Sequence, residues 1–306
     1  MKRRNFLKSA GATALAAPAL LSATSSSRGN APENETRLEI TWLGGATMLI
    51  AFGGLTLLTD PAFGDGKEAF RMGDPNEMFD LSKGPNVVFH ERLTPFPGVD
   101  LGRVDYVVLS HMHEDHFDQK AEQSIPKDMP FFVPAHDTAR LSAKGFTNVR
   151  QADWGRSFVL NKGEVEISLK AIPADHSEDP EIARLLGPGN GYWLTFRNGN
   201  WTKTVYWTGD TFPTPRVLDA VRPLGTPDIF IPHMGGVGTT GALGQISMSA
   251  HHVADFVEAL KPRKVLPLHH STFALYLEPV AGLPAALEDK THGLDLVSEG
   301  TCLGYS

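Results

Sequence analysis

The sequence predicts an α/β fold in which packed sheets are flanked by helices. Short apolar runs come first, joined as hairpins. Later runs alternate with helical patterns, which favours packed sheets over a singly wound parallel sheet. The opening runs are Leu38–Trp42, Thr47–Phe52 and Leu55–Thr59, with Gly44-Gly45 and Gly53-Gly54 as turns. Tyr106–Leu109 is a compact apolar run bounded by polar residues and suits a buried strand. Glu164–Ile172 alternates Val165, Ile167 and Leu169 with Glu166, Ser168 and Lys170, the period of a half-buried strand. Tyr192–Phe196 and Thr204–Trp207 flank Asn198-Gly199, a hairpin signal. Asp228–Ile231 and Lys264–Leu268 are two further strands. Between them Ala250–Leu260 sets Val253, Phe256, Val257 and Leu260 on one helical face. Pro61–Gly98 is rich in Gly and Pro, carries scattered Phe, and is expected to face substrate.

Charge and cysteine usage narrow the chemistry. The chain has 306 residues and a formal net charge of −7. Lys2, Arg3, Arg4 and Lys8 carry four of its positive charges, so the remainder stands at −11. An acidic body argues against a nucleic-acid partner, since phosphate binding rests on Lys and Arg. The single cysteine, Cys302, excludes an intrachain disulfide and any cluster of cysteine ligands. Metal binding must then come from carboxylates and the 12 histidines.

The N-terminus looks like an address. A basic start precedes an Ala-rich apolar run, Ala10–Leu21, and then small residues at Ser22, Ala23 and Thr24. The run is too short to span a bilayer, which takes about twenty residues. Arg3–Lys8, R-R-N-F-L-K, resembles a twin-arginine export signal, with cleavage near Ala19 or Ala23. Residues 1–25 are therefore expected to be a signal peptide and 26–36 a polar linker, with 37–306 as the folded domain. The export machinery is an expected partner and the periplasm, or another exported location, the destination.

The decisive stretch is S-H-M-H-E-D-H at Ser110–His116, directly after the Tyr106–Leu109 strand. His111, His113, Asp115 and His116 fit neither helical nor strand periodicity; such spacing needs a loop wrapped around something. Imidazoles with a carboxylate suit Zn, Mn or Fe. Three later stretches each follow an expected strand: A-I-P-A-D-H ending in His176, T-G-D-T containing Asp210, and P-L-H-H-S-T-F containing His269 and His270. Adjacent residues on an extended end point opposite ways, so at most one of His269 and His270 is a ligand. His136, His233, His251 and His252 lie near strand or helix ends and border the cleft at most. His292 lies outside every such stretch and is expected to take no part. There is no G-x-S-x-G elbow for a serine hydrolase.

These strings in this order resemble the metallo-β-lactamase superfamily, whose signature H-x-H-x-D-H matches His111–His116. The resemblance covers about residues 37–275. It implies a four-layer αββα sandwich of two mixed β-sheets flanked by helices, and two divalent metal ions, with zinc expected first and manganese or iron as alternatives. It places His111, His113 and His176 on one metal, Asp115, His116 and His269 on the other, and Asp210 across both. It also implies a hydroxide shared by the metals as nucleophile, with Asp115 orienting it or relaying a proton. Asp60, in T-D-P, resembles a residue that orients a metal-bound histidine, and His233 is a second candidate of that kind. Some β-lactamases of the superfamily carry cysteine at the position of Asp210, so aspartate there points to lactonase, phosphodiesterase or thioesterase chemistry. W-L-G-G-A-T, T-D-P, D-Y-V-V-L-S-H and H-H-S-T-F resemble the branch holding ascorbate-phosphate lactonases and the N-acylphosphatidylethanolamine phospholipase D. The implied activity is hydrolysis of an ester, lactone or amide in a small-molecule substrate. The alternatives are phosphodiester or phospholipid cleavage in the same fold, or a non-hydrolytic iron protein.

Overall fold

The computed structural model describes residues 36–288 and 293–306. The expected signal peptide, the linker as far as residue 35, and His292 lie outside the described residues. Thr36–Ser306 forms one compact unit.

In chain order, β1 (Leu38–Gly44), β2 (Thr47–Phe52) and β3 (Leu55–Thr59) form an antiparallel meander. A small hairpin follows, β4 (Phe70–Gly73) with β5 (Val87–His90). Next come β6 (Tyr106–Val108), α1 (Gln119–Ser124), β7 (Phe131–Pro134), α2 (Thr138–Ala143) and β8 (Val149–Ala152). The second half opens with β9 (Ser157–Lys162), β10 (Val165–Ala174), α3 (Pro180–Leu186), β11 (Gly189–Asn198) and β12 (Trp201–Trp207). It closes with α4 (Pro215–Val221), β13 (Ile229–Ile231), α5 (Ala250–Leu260), β14 (Lys264–Val265), α6 (Leu283–Leu287) and β15 (Cys302–Tyr305).

Two large mixed sheets result, ordered β15-β1-β2-β3-β6-β7-β8 and β14-β13-β12-β11-β10-β9. Alternation along the strands builds the layers. Ile167, Leu169, Val205, Trp207, Ile229 and Ile231 of the second sheet turn inward and pack with Ile40, Met48, Ile50 and Leu57 of the first. Tyr206 and Phe230 turn outward instead and meet Val253, Phe256 and Val257 of α5. Val107 and Phe131 turn outward from the first sheet, against Ala121 of α1 and Leu141 of α2. The order helix, sheet, sheet, helix is the expected sandwich, because each sheet must bury both faces.

β2, β3 and α5 have the boundaries the sequence predicts. Asn198 pairs with Trp201, so the hairpin turns at Gly199-Asn200, one residue beyond the expected Asn198-Gly199, with Gly199 at φ 56°. The expected Lys264–Leu268 strand is cut short after Val265, where Pro267 has no N–H to donate. Leu268 still pairs, through a single bridge to His233. Within Pro61–Gly98 the chain forms the β4–β5 hairpin instead of an unstructured loop. Replacing Leu194, fully enclosed between the sheets, by Ala is expected to cost about 2–5 kcal/mol in urea denaturation. Val159→Ala, at a site 52% exposed, should stay within about 0.5 kcal/mol.

Candidate metal centre

Strand direction brings the site together. β3 and β6 run parallel, as do β12, β13 and β14. β10 and β12 are both antiparallel to β11 and so run the same way. Carboxyl ends of both sheets therefore reach one edge of the sandwich. Asp60 follows β3, Ser110–His116 follows β6, His176 follows β10, Asp210 follows β12, His233 follows β13 and His269 lies beyond β14. The two edges are tied across the layers: Asn190 N–H donates to Ser110 O at 2.8 Å, and the Tyr192 hydroxyl to Leu109 O at 2.9 Å. Gly209 sits at this junction with φ 57°; a Cβ there would fall 2.6 Å from Asn190 O and 2.7 Å from Ser110 Cβ. Asp60 and His269 hold left-handed backbone, φ 37° and 62°. Such strain persists only where the surroundings enforce it.

All seven residues expected to hold metal converge. His111 Nε2, His113 Nδ1 and His176 Nε2 lie 2.9, 3.1 and 3.2 Å apart. His269 Nε2 is 3.1 Å from Asp115 Oδ2, which is 3.8 Å from His116 Nε2. Between these groups stands Asp210, whose Oδ2 is 3.6 Å from His176 Nε2 and 3.7 Å from His269 Nε2, with Oδ1 at 3.4 Å from His116 Nε2. One carboxylate thus faces both triads.

Hydrogen bonds behind the rings decide which nitrogens face inward. His176 Nδ1 donates to Ile246 O and His269 Nδ1 to Met234 O, each at 2.7 Å. His116 Nδ1 donates to Asp60 Oδ2 at 2.8 Å, and His111 Nδ1 to the Ser110 hydroxyl at 3.0 Å. The opposite nitrogen of each ring faces the centre. Asp60 is itself fixed by Ser110, through N–H to Oδ1 at 2.7 Å and hydroxyl to Oδ2 at 2.6 Å. His233 is placed just as firmly: Trp207 Nε1–H donates to its Nε2 at 2.7 Å, so its Nδ1–H donates to Asp210 Oδ1 at 3.0 Å. Asp60 orients His116 and His233 orients Asp210; neither stands among the seven inward-facing residues. Ser110 and Trp207 were not singled out from the sequence for these roles. A serine beside a histidine motif and an inward Trp on a strand carry no local mark of a partner far along the chain.

The donor set fits metal cations. His116 Nε2 is buried and finds no hydrogen-bond partner among the described residues. His111 and His176 commit their outer nitrogens to Ser110 and Ile246 O, so their inner nitrogens, crowded with His113 Nδ1 within 3.2 Å, lack protons to satisfy one another. Burial, helped by neighbouring imidazoles, holds His111 well below its ordinary value and His113 down to about 3, so both offer lone pairs at neutral pH. Burial opposes charge on His116 too, but Asp210, Asp115 and Asp60 outweigh it and push that ring upward. Nitrogen and oxygen donors without sulfur suit zinc, manganese or iron.

The other histidines lie elsewhere. His252 caps α5, its Nδ1 2.7 Å from the Ser249 hydroxyl, and His251 Nδ1 contacts the same hydroxyl at 2.8 Å. His270 turns away to Trp42, ring centroids 4.7 Å apart. His136 abuts Gly187 and lines a separate cavity with Trp154 and Pro188. The Pro61–Gly98 segment does reach the centre: Met72, Pro75 and Phe79 share a cavity with His113, Asp115, His176 and Asp210.

Fold and site together are those of a metal-dependent hydrolase with an αββα sandwich. A family model described as a beta-lactamase superfamily domain matches residues 56–270, and the chain belongs to that family, in its metallo-β-lactamase branch. The chain is 25% identical over 260 residues to N-acyl-phosphatidylethanolamine-hydrolyzing phospholipase D 1 of Caenorhabditis elegans, covering 80% of this chain and 68% of that one. It is 27% identical over 263 residues to a metal-dependent hydrolase of Solibacter usitatus, covering 84% and 94%. The crystal structure of a possible metal-dependent hydrolase from Veillonella parvula shares the fold, with a TM-score of 0.67 at 22% identity over 87% of this chain and 98% of that one.

Replacing Asp60 by Ala frees the His116 ring, and replacing His233 by Ala frees the Asp210 carboxylate. Each is expected to weaken metal binding by about 10–100-fold in chelator competition. His136→Ala should leave the affinity unchanged.

Proposed function

We propose that the protein is a binuclear metallohydrolase acting on an ester, lactone or amide. The observation that carries this is Asp210, with Oδ2 almost equally far from a nitrogen of each triad, at 3.6 and 3.7 Å. A shared anionic ligand is what holds two dications close enough to act together, roughly 3.5–4 Å apart. Two such ions, when bound, supply a Lewis acid for the carbonyl oxygen and a water acidified toward neutrality. His111, His113 and His176 would hold one ion, Asp115, His116 and His269 the other.

Asp115 lies both in the ligand cluster and on the cavity wall. Burial opposes its charge, but His116 and His269 hold its carboxyl below the usual carboxylate range. It enters the reaction as an anion, suited to orient the attacking water and to pass a proton to the leaving group. Asp60 and His233 hold their partners in place while charge moves in front of them. The phospholipase D relative favours a second reading, phosphodiester cleavage by the same residues.

Metal analysis with paired assays on a lactone and an aryl phosphodiester tests both. Hydrolysis of the lactone, lost with chelator and restored by zinc or manganese, is the expected result. Preference for the phosphodiester would select the second reading, and redox-active iron with no hydrolysis would overturn both. His113→Ala and Asp210→Asn should each reduce turnover to background and lower bound metal.

We also propose export through the twin-arginine route, supported by R-R-N-F-L-K at Arg3–Lys8. Replacing Arg3 and Arg4 by Lys should retain the protein inside the cell in a fractionation assay. Unchanged export would refute the proposal.

A further inference from the structure

We propose that the catalytic cavity selects a neutral substrate carrying one apolar group of aryl or short-acyl size; this rests on the hydrolase reading above. The cavity, about 260 Å³, has His113, Asp115, His176 and Asp210 on its wall. The rest of that wall is mainly apolar, with Met72, Phe79, Leu186, Val237, Leu243 and Leu275. Among the described residues that line it, none is Lys or Arg, and its carboxylates are Glu114, Asp115 and Asp210. The nearby Arg140 is engaged, with Nη2 on Glu114 at 2.9 Å and Nη1 on Met112 O at 2.7 Å. A charged group on the substrate, away from the reacting bond, would lose water there and gain no cation. An apolar group would gain by leaving water.

The wall is held in a defined shape. Asn76, between β4 and β5, accepts from Gly238 N–H at 2.7 Å through its side chain and donates to Leu275 O at 2.9 Å. Its own carbonyl accepts from the Thr240 hydroxyl at 2.8 Å. Three wall segments from distant parts of the chain are thereby pinned by one residue. Size follows from volume. An apolar cavity of about 150 Å³ accommodates benzene, so this one takes a ring with a few methylenes.

The test compares 4-nitrophenyl acetate, butyrate, hexanoate, decanoate and phenylacetate on the metal-loaded full chain, with the adipate monoester as the charged match to hexanoate. kcat/KM should rise about threefold to fourfold per methylene up to roughly hexanoate and stop rising by decanoate. Phenylacetate should rank with hexanoate, and adipate at least tenfold below it. Leu243→Lys, at a partly exposed position, should narrow or reverse the hexanoate-to-adipate ratio with metal content unchanged. Binding of 2-phenylethanol, read by saturation-transfer NMR, supplies a measurement independent of turnover and should be lost in Leu243→Lys. If the esters are hydrolysed with a flat chain-length profile, or adipate equals hexanoate, the selectivity proposal fails and the hydrolase reading stands. If no ester is hydrolysed yet 2-phenylethanol binds the parent and not the variant, the cavity's preference stands and the hydrolase reading fails. Equal binding to both proteins overturns the proposal.

Discussion

Five imidazoles and two carboxylates converge on a space a few ångströms across that is closed off from water on most sides. Left to themselves, such groups repel, and burying them without partners costs several kilocalories per mole each. Two remedies act on different scales. Hydrogen bonds behind His111, His116, His176 and His269 fix those rings with one nitrogen inward, so they cannot simply turn over and pair with one another. Cations in front of the rings give those nitrogens something to bind. The crowding near His111, His113 and His176 and the unpartnered Nε2 of His116 are the mark of a site shaped for charge that the polypeptide does not itself carry.

The sandwich makes that crowding affordable. Two sheets with strand ends on a common edge let side chains approach the site from both layers. The inter-sheet core holds the layers in register, and Tyr192 and Asn190 reach across to the end of β6. Positions one shell out then carry much of the geometry. Asp60 is tied to Ser110 and His116 at once, and Trp207 dictates which nitrogen of His233 is free to meet Asp210. A change at any of them would move a ligand without touching metal.

On the proposed function, chemistry and selectivity come from different parts of the chain. The seven converging residues come from strand ends, where backbone is rigid. The apolar wall over them comes from the β4–β5 hairpin, α3 and the segments near Val237 and Leu275. Such a division lets the reacting centre stay constant while the wall alters what enters. Asn76 belongs to neither group and holds the second in place over the first.

Much of this was readable in order along the chain. The opening hairpins, α5 and the clustered histidines of Ser110–His116 are local signals, because periodicity, turn residues and ligand spacing act over a few residues. β15 was not readable: it pairs with β1 across almost the whole domain, and its Cys302–Tyr305 run is only four residues long. β8 and β9 have largely exposed faces, so apolar content understates them. Among adjacent histidines, residue type alone could say that one at most of His269 and His270 is a ligand. The resemblance favours His269, and the structure turns its Nε2 inward toward Asp115 while His270 packs on Trp42. Side-chain chemistry and short spacing were thus determined by the sequence alone. Which nitrogen faces inward, what Ser110 and Trp207 do, and which apolar residues roof the site were decided only by tertiary structure, because each depends on groups brought close from distant parts of the chain.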